Sequence, residues 1–587
     1  MPAIGRARRP SWVPHRLKER GVALPTTMLL LIVMLGAAGF AIDVGHWYLT
    51  ANRLQRAADA GALAGVTKLP HDEPGADATA VEAAGANGFS SSDITVEDGN
   101  RANQLRVTVE TTVDNFFAGL FGVNQTTVTR TALAEFQGPS IMGSPNNWLG
   151  NSTSAGHVQP EFWLMNAAPG AVPINGDRFQ AGSGNADYDP NGYSFKIDVK
   201  SVPGSGDLLV EAFDPAHVDV GFTACGRLPT NTLNQELVND HPALYGAGGT
   251  YTKSGEDATE RYERGRWDPN IVVGGVVTNP ADHPYCTADN GSVDVTTYIL
   301  RAPDLTPQND LDNPIISIGT CQPRQYRGFS DTGGDNIHKY LDPDDGWRDA
   351  DHAEFASAFR QWVTLCSIPN GSVEVGEYIL QVRTNSPMGS PGAIGGGGGS
   401  GMNKYALRVG FGSVGAETLD GTSVSIAATG RLPMFVGAVA ADTEFFLTRV
   451  PPATNGSFIE VAFWDVGDGA GNGHIQVLPP VEYMNSDGTY GPPGTNYFRD
   501  CIWEDTIGTT GGTPSAANDC TLDNVNTTFN GDLVTVFVPV PADYDCAVAS
   551  NLGCWVKLRF QWDLGADVFD HTVWSAGLSG DPLRLVE

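Results

Sequence analysis

From Gly21 to Ile42 the chain runs for 22 residues without a charged side chain (GVALPTTMLLLIVMLGAAGFAI), with a cationic block before it and Asp43 after it. At about 1.5 Å of rise per helical residue, such a run crosses the roughly 30 Å hydrocarbon core of a bilayer. Pro25 falls in the predicted first turn, where its missing N–H costs little. The helical period does not stop at Asp43. Val44, Trp47, Ala51, Leu54, Ala58 and Ala62 recur at steps of three or four, predicting one helix to about Lys68 that Leu69-Pro70 then ends. Trp47 and Tyr48 stand where an interfacial aromatic belt is expected, and the small residues beyond them make a face suited to close helix packing.

The pattern then changes period. Val81–Phe89 reads as a helix leading to Asn87-Gly88. In Gln104–Phe136, Leu105, Val107 and Val109 alternate; Phe116, Phe117, Leu120 and Phe121 form an apolar turn; Val128, Thr129 and Ala132 resume a strand. Gln137–Gly156, rich in Gly, Ser, Asn and Pro, reads as a linker. The remainder alternates as strands and contains a weak internal repeat. Gly192–Ala216 parallels Thr443–Gly469: each is a hairpin signature ending in an aromatic residue and Asp214 or Asp465. Asn290–Asp304 parallels Asn530–Asp543, and the Trp strand Gln361–Leu365 parallels Cys554–Leu558. The predicted fold is therefore a single N-terminal transmembrane helix with a helical extension, a small α+β module, and a mainly-β remainder of two related, jelly-roll-like β-sandwich modules. The corresponding segments are 1–20 (basic tail), 21–68 (helix and extension), 69–136 (α+β module), 137–156 (linker), 157–432 (first sandwich, with long loops) and 433–587 (second sandwich).

Composition supports the β reading: 71 glycines and 38 prolines, with only 17% charged residues, suit short strands joined by turns. The charge is placed unevenly. Residues 1–20 hold six cations (Arg6, Arg8, Arg9, Arg16, Lys18 and Arg20) against Glu19, so of a net −32 the chain beyond Arg20 carries about −37. The basic block orients the helix with its N-terminus in the cytoplasm and the bulk outside it. The acidic remainder disfavours nucleic acid as a partner. All eight cysteines (Cys225, Cys286, Cys321, Cys366, Cys501, Cys520, Cys546 and Cys554) lie beyond the apolar run, four in each half, with no metal-ligand spacing. They read as disulfides kept within each half, formed in an oxidising compartment, with the pairing left open. The apolar run is longer than a signal-peptide core, and Gly39-Phe40-Ala41 makes a poor cleavage site. Prepilin-type processing after Gly21 would want a glutamate where Thr26 stands.

The run GFAIDVGHWYLTANRLQRAADAGALAG, with its D-x-G exit at Ala41–Gly45 and its LQRAADAGALAG extension over Leu54–Gly65, resembles the N-terminal module of TadE/TadG-like Flp (tight adherence) pilus-assembly proteins. The resemblance extends through Val81–Phe89 and Gln104–Phe136, so it covers about residues 20–136. It implies a membrane-anchored accessory protein of a pilus or secretion machine, with other envelope proteins and the lipid bilayer as partners and Asp43, Gly45, Trp47 and Tyr48 as its membrane-exit motif. Asp43 at the membrane edge reads as a solvated interfacial carboxylate or, alternatively, as a candidate to pair with a partner's cation. Some members of that family carry a von Willebrand A domain with a DxSxS metal site; this chain has no such motif.

Three acidic clusters bear on cation binding. Asp342, Asp344 and Asp345 lie in Leu341–Glu354, Asp465 and Asp468 in Phe463–Gly473, and Asp177, Asp187 and Asp189 in Asn175–Gly192. All offer oxygen ligands suited to Ca²⁺, but the first fails the EF-hand register and turns use the same residues. No GxSxG, HExxH, P-loop or strand-linked GxGxxG occurs, so the chain reads as a non-enzyme without a cofactor. The alternative is an anchored adhesin or glycan binder, for which Trp163, Trp464 and Trp503 are the candidate stacking residues; a surface hydrolase is the third reading.

Overall fold

The computed structural model describes residues 23–69, 72–99, 103–136, 140–150, 161–167, 176–180, 185–216, 218–219, 272–273, 276–277, 295–305, 309–327, 329–330, 362–384, 402–439, 443–451, 457–467, 473–481, 498–505, 520–544, 546, 553–562, 567–578 and 583–586. The chain divides into two compact units, Met1–Gln137 with Leu583–Glu587, and Gly138–Pro582.

In the first unit the apolar run and its extension form one helix, α1 (Ala23–Gly65), closed by a 3₁₀ turn at Val66–Lys68. A second helix, α2 (Glu73–Gly85), starts at Asp72, whose carboxylate accepts the Gly75 N–H at 2.9 Å. An antiparallel sheet follows: β1 (Ile94–Asp98), β2 (Gln104–Asp114) and β3 (Gln125–Phe136), with β28 (Leu583–Leu585) added beside β3. The second unit is thus inserted between two neighbouring strands of the first.

The helices and sheet share a core of Ala51, Leu54, Ala58, Ala62, Ala76, Ala80, Ala84, Leu105, Val107 and Ala132. Alanines four apart on α2 face the small residues of α1, which lets the two backbones approach closely. A Cβ at Gly61 would sit 3.0 Å from the Ala80 carbonyl oxygen, and one at Gly65 would sit 2.7 Å from that of Ala76. The small-residue face of the extension is therefore filled by the chain itself. It does not form a free rod.

The second unit is mainly β. Its first strands are β4 (Ile141–Met142), β5 (Trp148–Leu149), β6 (Glu161–Ala167), β7 (Tyr193–Val199) and β8 (Asp207–Phe213). After the short β9 (Val218–Asp219), β10 (Val272–Val273) and β11 (Val276–Val277) come β12 (Val295–Arg301), β13 (Arg324–Arg327) and β14 (Phe329–Ser330). Next are β15 (Trp362–Ile368), β16 (Gly376–Thr384), β17 (Met402–Gly412), β18 (Val424–Thr429) and β19 (Leu432–Val439). The series ends with β20 (Thr443–Arg449), β21 (Phe458–Trp464), β22 (Gly473–Leu478), β23 (Ile502–Asp505), β24 (Thr521–Val525), β25 (Leu533–Pro539), β26 (Trp555–Trp562) and β27 (Asp567–Leu578). The stretch read as a linker supplies β4 and β5, which pair into the two large sheets.

One sheet has the order β13-β12-β16-β7-β18-β4-β20-β26-β22-β24, the other β15-β8-β17-β6-β19-β27-β21-β25-β23. Both contribute to a single apolar core. On β7 the alternation buries Tyr193, Phe195, Ile197 and Val199.

The strand orders expose the duplication. Seven strands of the first half (β7, β8, β12, β13, β15, β16, β17) have counterparts in the same chain order in the second (β20, β21, β22, β24, β25, β26, β27). The β16–β7 register sets Leu380 opposite Phe195, and the β26–β20 register sets Leu558 opposite Phe445. The correspondence read from sequence holds as a pair of consecutive strands, but the hairpin reading is corrected. β7 and β20 lie in one large sheet and β8 and β21 in the other, because alternation shows that a strand buries one face and not which strand it pairs with. Asp214 and Asp465, each just past β8 or β21, both adopt the left-handed conformation with φ of 53° and 60°. The two later correspondences are corrected. Asn290–Asp304 supplies β12, the counterpart in the repeat of β22 and not of β25; the Trp strand β15 matches β25, while the second Trp strand is β26, the match of β16. Edge and central strands of a sandwich alternate alike, so sequence pattern alone does not say which strand is which. The two halves also share both sheets continuously, with β18, β4, β6 and β19 between them.

Among the described cysteines the disulfides are Cys321–Cys366, Cys501–Cys520 and Cys546–Cys554, each within one half. Cys225 and Cys286 lie outside the described residues. Because Cys321–Cys366 closes a loop with a separation of 45 residues, its loss through Cys321→Ser with Cys366→Ser is expected to cost about 2–4 kcal/mol. Denaturant midpoints of the double variant and the parent protein check this. Removing the eight-residue link between Cys546 and Cys554 is expected to cost less.

Candidate membrane-exit site

The region where α1 leaves its charge-free run is built by two elements distant in sequence. The β2–β3 connection, Asn115–Asn124, folds back onto α1 through a 3₁₀ turn at Ala118–Phe121, which Gly122 ends with a φ of 87°. Left-handed backbone of this kind is where glycine is favoured.

Asp43 occupies the centre of this contact. It is buried, and its carboxylate accepts three successive backbone N–H groups. Oδ1 takes that of Phe116 at 2.7 Å, and Oδ2 takes those of Phe117 at 3.0 Å and Ala118 at 2.7 Å. These are the amides that open the 3₁₀ turn, so the carboxylate caps it from another element, as a side chain caps a helix N-terminus. One helical turn on, Trp47 donates its indole N–H to Asn115 Oδ1 at 2.7 Å. Asn115 in turn donates to the Val123 carbonyl at 2.9 Å. One turn back, the Phe117 ring lies on Gly39, where a Cβ would be only 2.6 Å away. Phe116 meets His46 edge-on with centroids 5.4 Å apart, and Phe40 meets Trp47 at 6.1 Å.

Of the four residues in the sequence motif, the fold brings Asp43 and Trp47 together on the loop and leaves the other two outside. Tyr48 is 68% exposed, and a Cβ on Gly45 would meet nothing within 4 Å. The reading of Asp43 as a solvated interfacial carboxylate is corrected: it is buried, and what it pairs with here is the chain's own backbone, not a cation. Its ligands, 73 to 75 residues away, carry no side-chain signature that sequence could have revealed. Gly39, Phe116 and Phe117 were likewise missed as members of the site.

Asp43→Ala is expected to free the loop without unfolding the module, whose core lies farther along α1. Amide hydrogen exchange at Phe116–Ala118 should quicken by about tenfold or more, while β2 and β3 amides stay protected. Unchanged exchange at these three amides would remove Asp43 from this role.

The other candidate residues divide between the described and undescribed parts of the chain. Asp342, Asp344, Asp345 and Asp468 lie outside the described residues. Asp465 is buried and accepts the Gly531 N–H at 2.6 Å, fastening the turn after β21. Asp187 pairs with Arg178 at 2.9 Å, and Asp189 pairs with Arg431. Asp177 accepts the Tyr193 hydroxyl and the Phe179 N–H. Burial pushes the Asp177 carboxyl above its ordinary range, against the pull of those hydrogen bonds and of Arg431. Among the described residues no group of three or more His, Cys, Asp or Glu side chains could hold a metal ion. Trp163 is fully buried beside Phe213, and Trp464 is 8% exposed, so neither offers a ring face for stacking on a sugar. Trp503, half-buried, stacks on Phe463.

Residues 21–68 match the family model described as putative Flp pilus-assembly TadE/G-like. The match takes in the apolar run, the exit with Asp43, and the extension that packs against α2. No curated protein and no solved structure matches the chain. Leu24–Lys68 is long and apolar enough to cross a membrane, and on its first turns Leu24 and Met28–Leu35 are all exposed.

Proposed function

We propose that the chain is a membrane-anchored accessory protein of a Flp-type pilus or a related envelope machine. Its basic tail faces the cytoplasm, and its double-sheet unit stands outside. The observation that carries this reading is the exit site: the TadE/G-like segment runs without a break from an apolar span into a folded module, and Asp43 ties the two at the point of exit. The cationic residues 1–20 support the orientation by the positive-inside rule. Three disulfides support an oxidising compartment for the β unit.

The role is structural. The contacts of the module with other envelope proteins would run through surfaces its own core leaves free, among them Gly45 and Tyr48 on α1. No chemistry and no cofactor is assigned. Deleting the gene in its source cells tests the reading. Loss of surface pili, restored by the intact gene, is the expected result. Normal pili with lost attachment would replace it by the adhesin reading, and normal pili with normal attachment would overturn both.

A further inference from the structure

The loop that Asp43 holds has a composition unlike that of a soluble turn. From Phe116 to Val123 the sequence is FFAGLFGV, eight residues with no polar side chain. Loops on a water-facing surface are normally rich in polar turn residues. Here Phe116 is 64% exposed, Leu120 80%, Phe121 83% and Val123 52%. Within the first unit nothing covers these side chains. A patch of this kind marks a surface meant for another phase or partner.

We infer that Phe116–Val123 is a second membrane contact, seated in the interfacial layer of the bilayer beside α1. The first ground is level. The loop is clamped at Asp43, the residue directly after the charge-free run, and Phe117 lies on Gly39, within that run. Phe40 and Ile42 are exposed at the same height on α1. The apolar surface of the loop therefore continues that of the span.

The second ground is the backbone. A segment seated at the edge of lipid is favoured when its backbone N–H and C=O groups already have partners, and most of this loop's N–H groups do. The N–H groups of Phe116, Phe117 and Ala118 go to Asp43. Those of Leu120, Gly122 and Val123 go to the carbonyls of Phe117, Gly119 and Ala118, each at 3.1 Å. The Val123 carbonyl accepts from Asn115. A carboxylate that closes three amides of an apolar loop is suited to this boundary, where an open turn would cost several kcal/mol per unpaired group. The aromatic side chains are the type that interfacial layers favour. A lipid layer is thus the occupant that matches chemistry, level and hydrogen bonding together.

The inference rests on the membrane-spanning reading of α1, and one experiment keeps the two apart. The full chain is reconstituted in phosphatidylcholine vesicles with an environment-sensitive fluorescent amino acid at Leu31, Phe121 or Ser91, the last being exposed and outside both elements. Aqueous iodide and spin-labelled lipid, with the nitroxide near the headgroup or deep in the chains, serve as quenchers. The loop contact predicts blue-shifted emission at Phe121, loss of iodide quenching relative to Ser91, and quenching by the shallow lipid label. Lipid quenching at Leu31 with Phe121 open to iodide would overturn the loop contact and leave the span. A Leu31 probe open to iodide would overturn both. Protection of Phe121 from iodide and lipid labels alike would assign the patch to a protein partner, and so also refute the inference.

Discussion

Trp574→Ala is expected to be among the most damaging single substitutions in the β unit, costing about 3–5 kcal/mol. Trp574 is fully buried on β27, the strand by which the second half joins the central strands through β19. Its ring stacks on Phe560 with an interplanar angle of 9° at 5.5 Å, and meets Phe463 at 5.7 Å and Phe445 at 6.3 Å. Phe560 and Phe445 belong to the opposite sheet, so one side chain ties both sheets together. Truncation removes the transfer energy of a large ring and leaves a cavity that rigid strands on both sides cannot close. Trp574→Phe keeps most of the stacking and should cost clearly less. Urea midpoints of the purified full-length protein, followed by tryptophan fluorescence, check the order. Equal effects of the two substitutions would mean that ring volume is not what matters there.

Gly65→Val is expected to disrupt the first unit by about 3 kcal/mol or more. Two effects oppose each other at this position. Removing a glycine from a helix gains up to about 1 kcal/mol in backbone entropy. Against that, a Cβ would sit 2.4 Å from Leu105 Cδ2, 2.7 Å from the Ala76 carbonyl oxygen and 2.8 Å from Ala80 Cβ. Leu105 can change rotamer, but the Ala76 oxygen belongs to α2, so the whole helix would have to move. Overlap wins. Gly45→Ala is the matched control, because its Cβ meets nothing and only the propensity gain remains. It should leave the module's stability unchanged or slightly raised. Protease resistance of the module in detergent, compared across Gly65→Val, Gly65→Ala and Gly45→Ala, separates the two effects.

These two positions show what sequence could convey. The helix through Asp43, α2 and the β2–β3 hairpin were readable because each is set by local period and by turn residues such as Asn87-Gly88. The members of the pairs β7 and β8, and β20 and β21, lie in opposite sheets and form no hairpin, but as strands they were readable for the same reason, and their shared aspartates mark the repeat. Strand order was not, since pairing partners such as β7 and β18 lie more than 200 residues apart and alternating patterns fit several places in a sandwich. The exit site was half legible. Asp43 and Trp47 stood out, but the function of Asp43 depends on backbone amides that any sequence would supply. Trp163 and Trp464 are covered for a related reason: β6 is buried on both faces and the end of β21 packs in a second apolar cluster, and a strand pattern does not show how deep each position lies.

Proteolysis of cells stripped to the cytoplasmic membrane, followed by mass spectrometry of the released peptides, tests the anchored and outward-facing arrangement most directly. Peptides from beyond residue 140 should appear before lysis, and those from residues 1–20 only after it. Release of the distal peptides only on lysis would contradict both the topology and the exterior role.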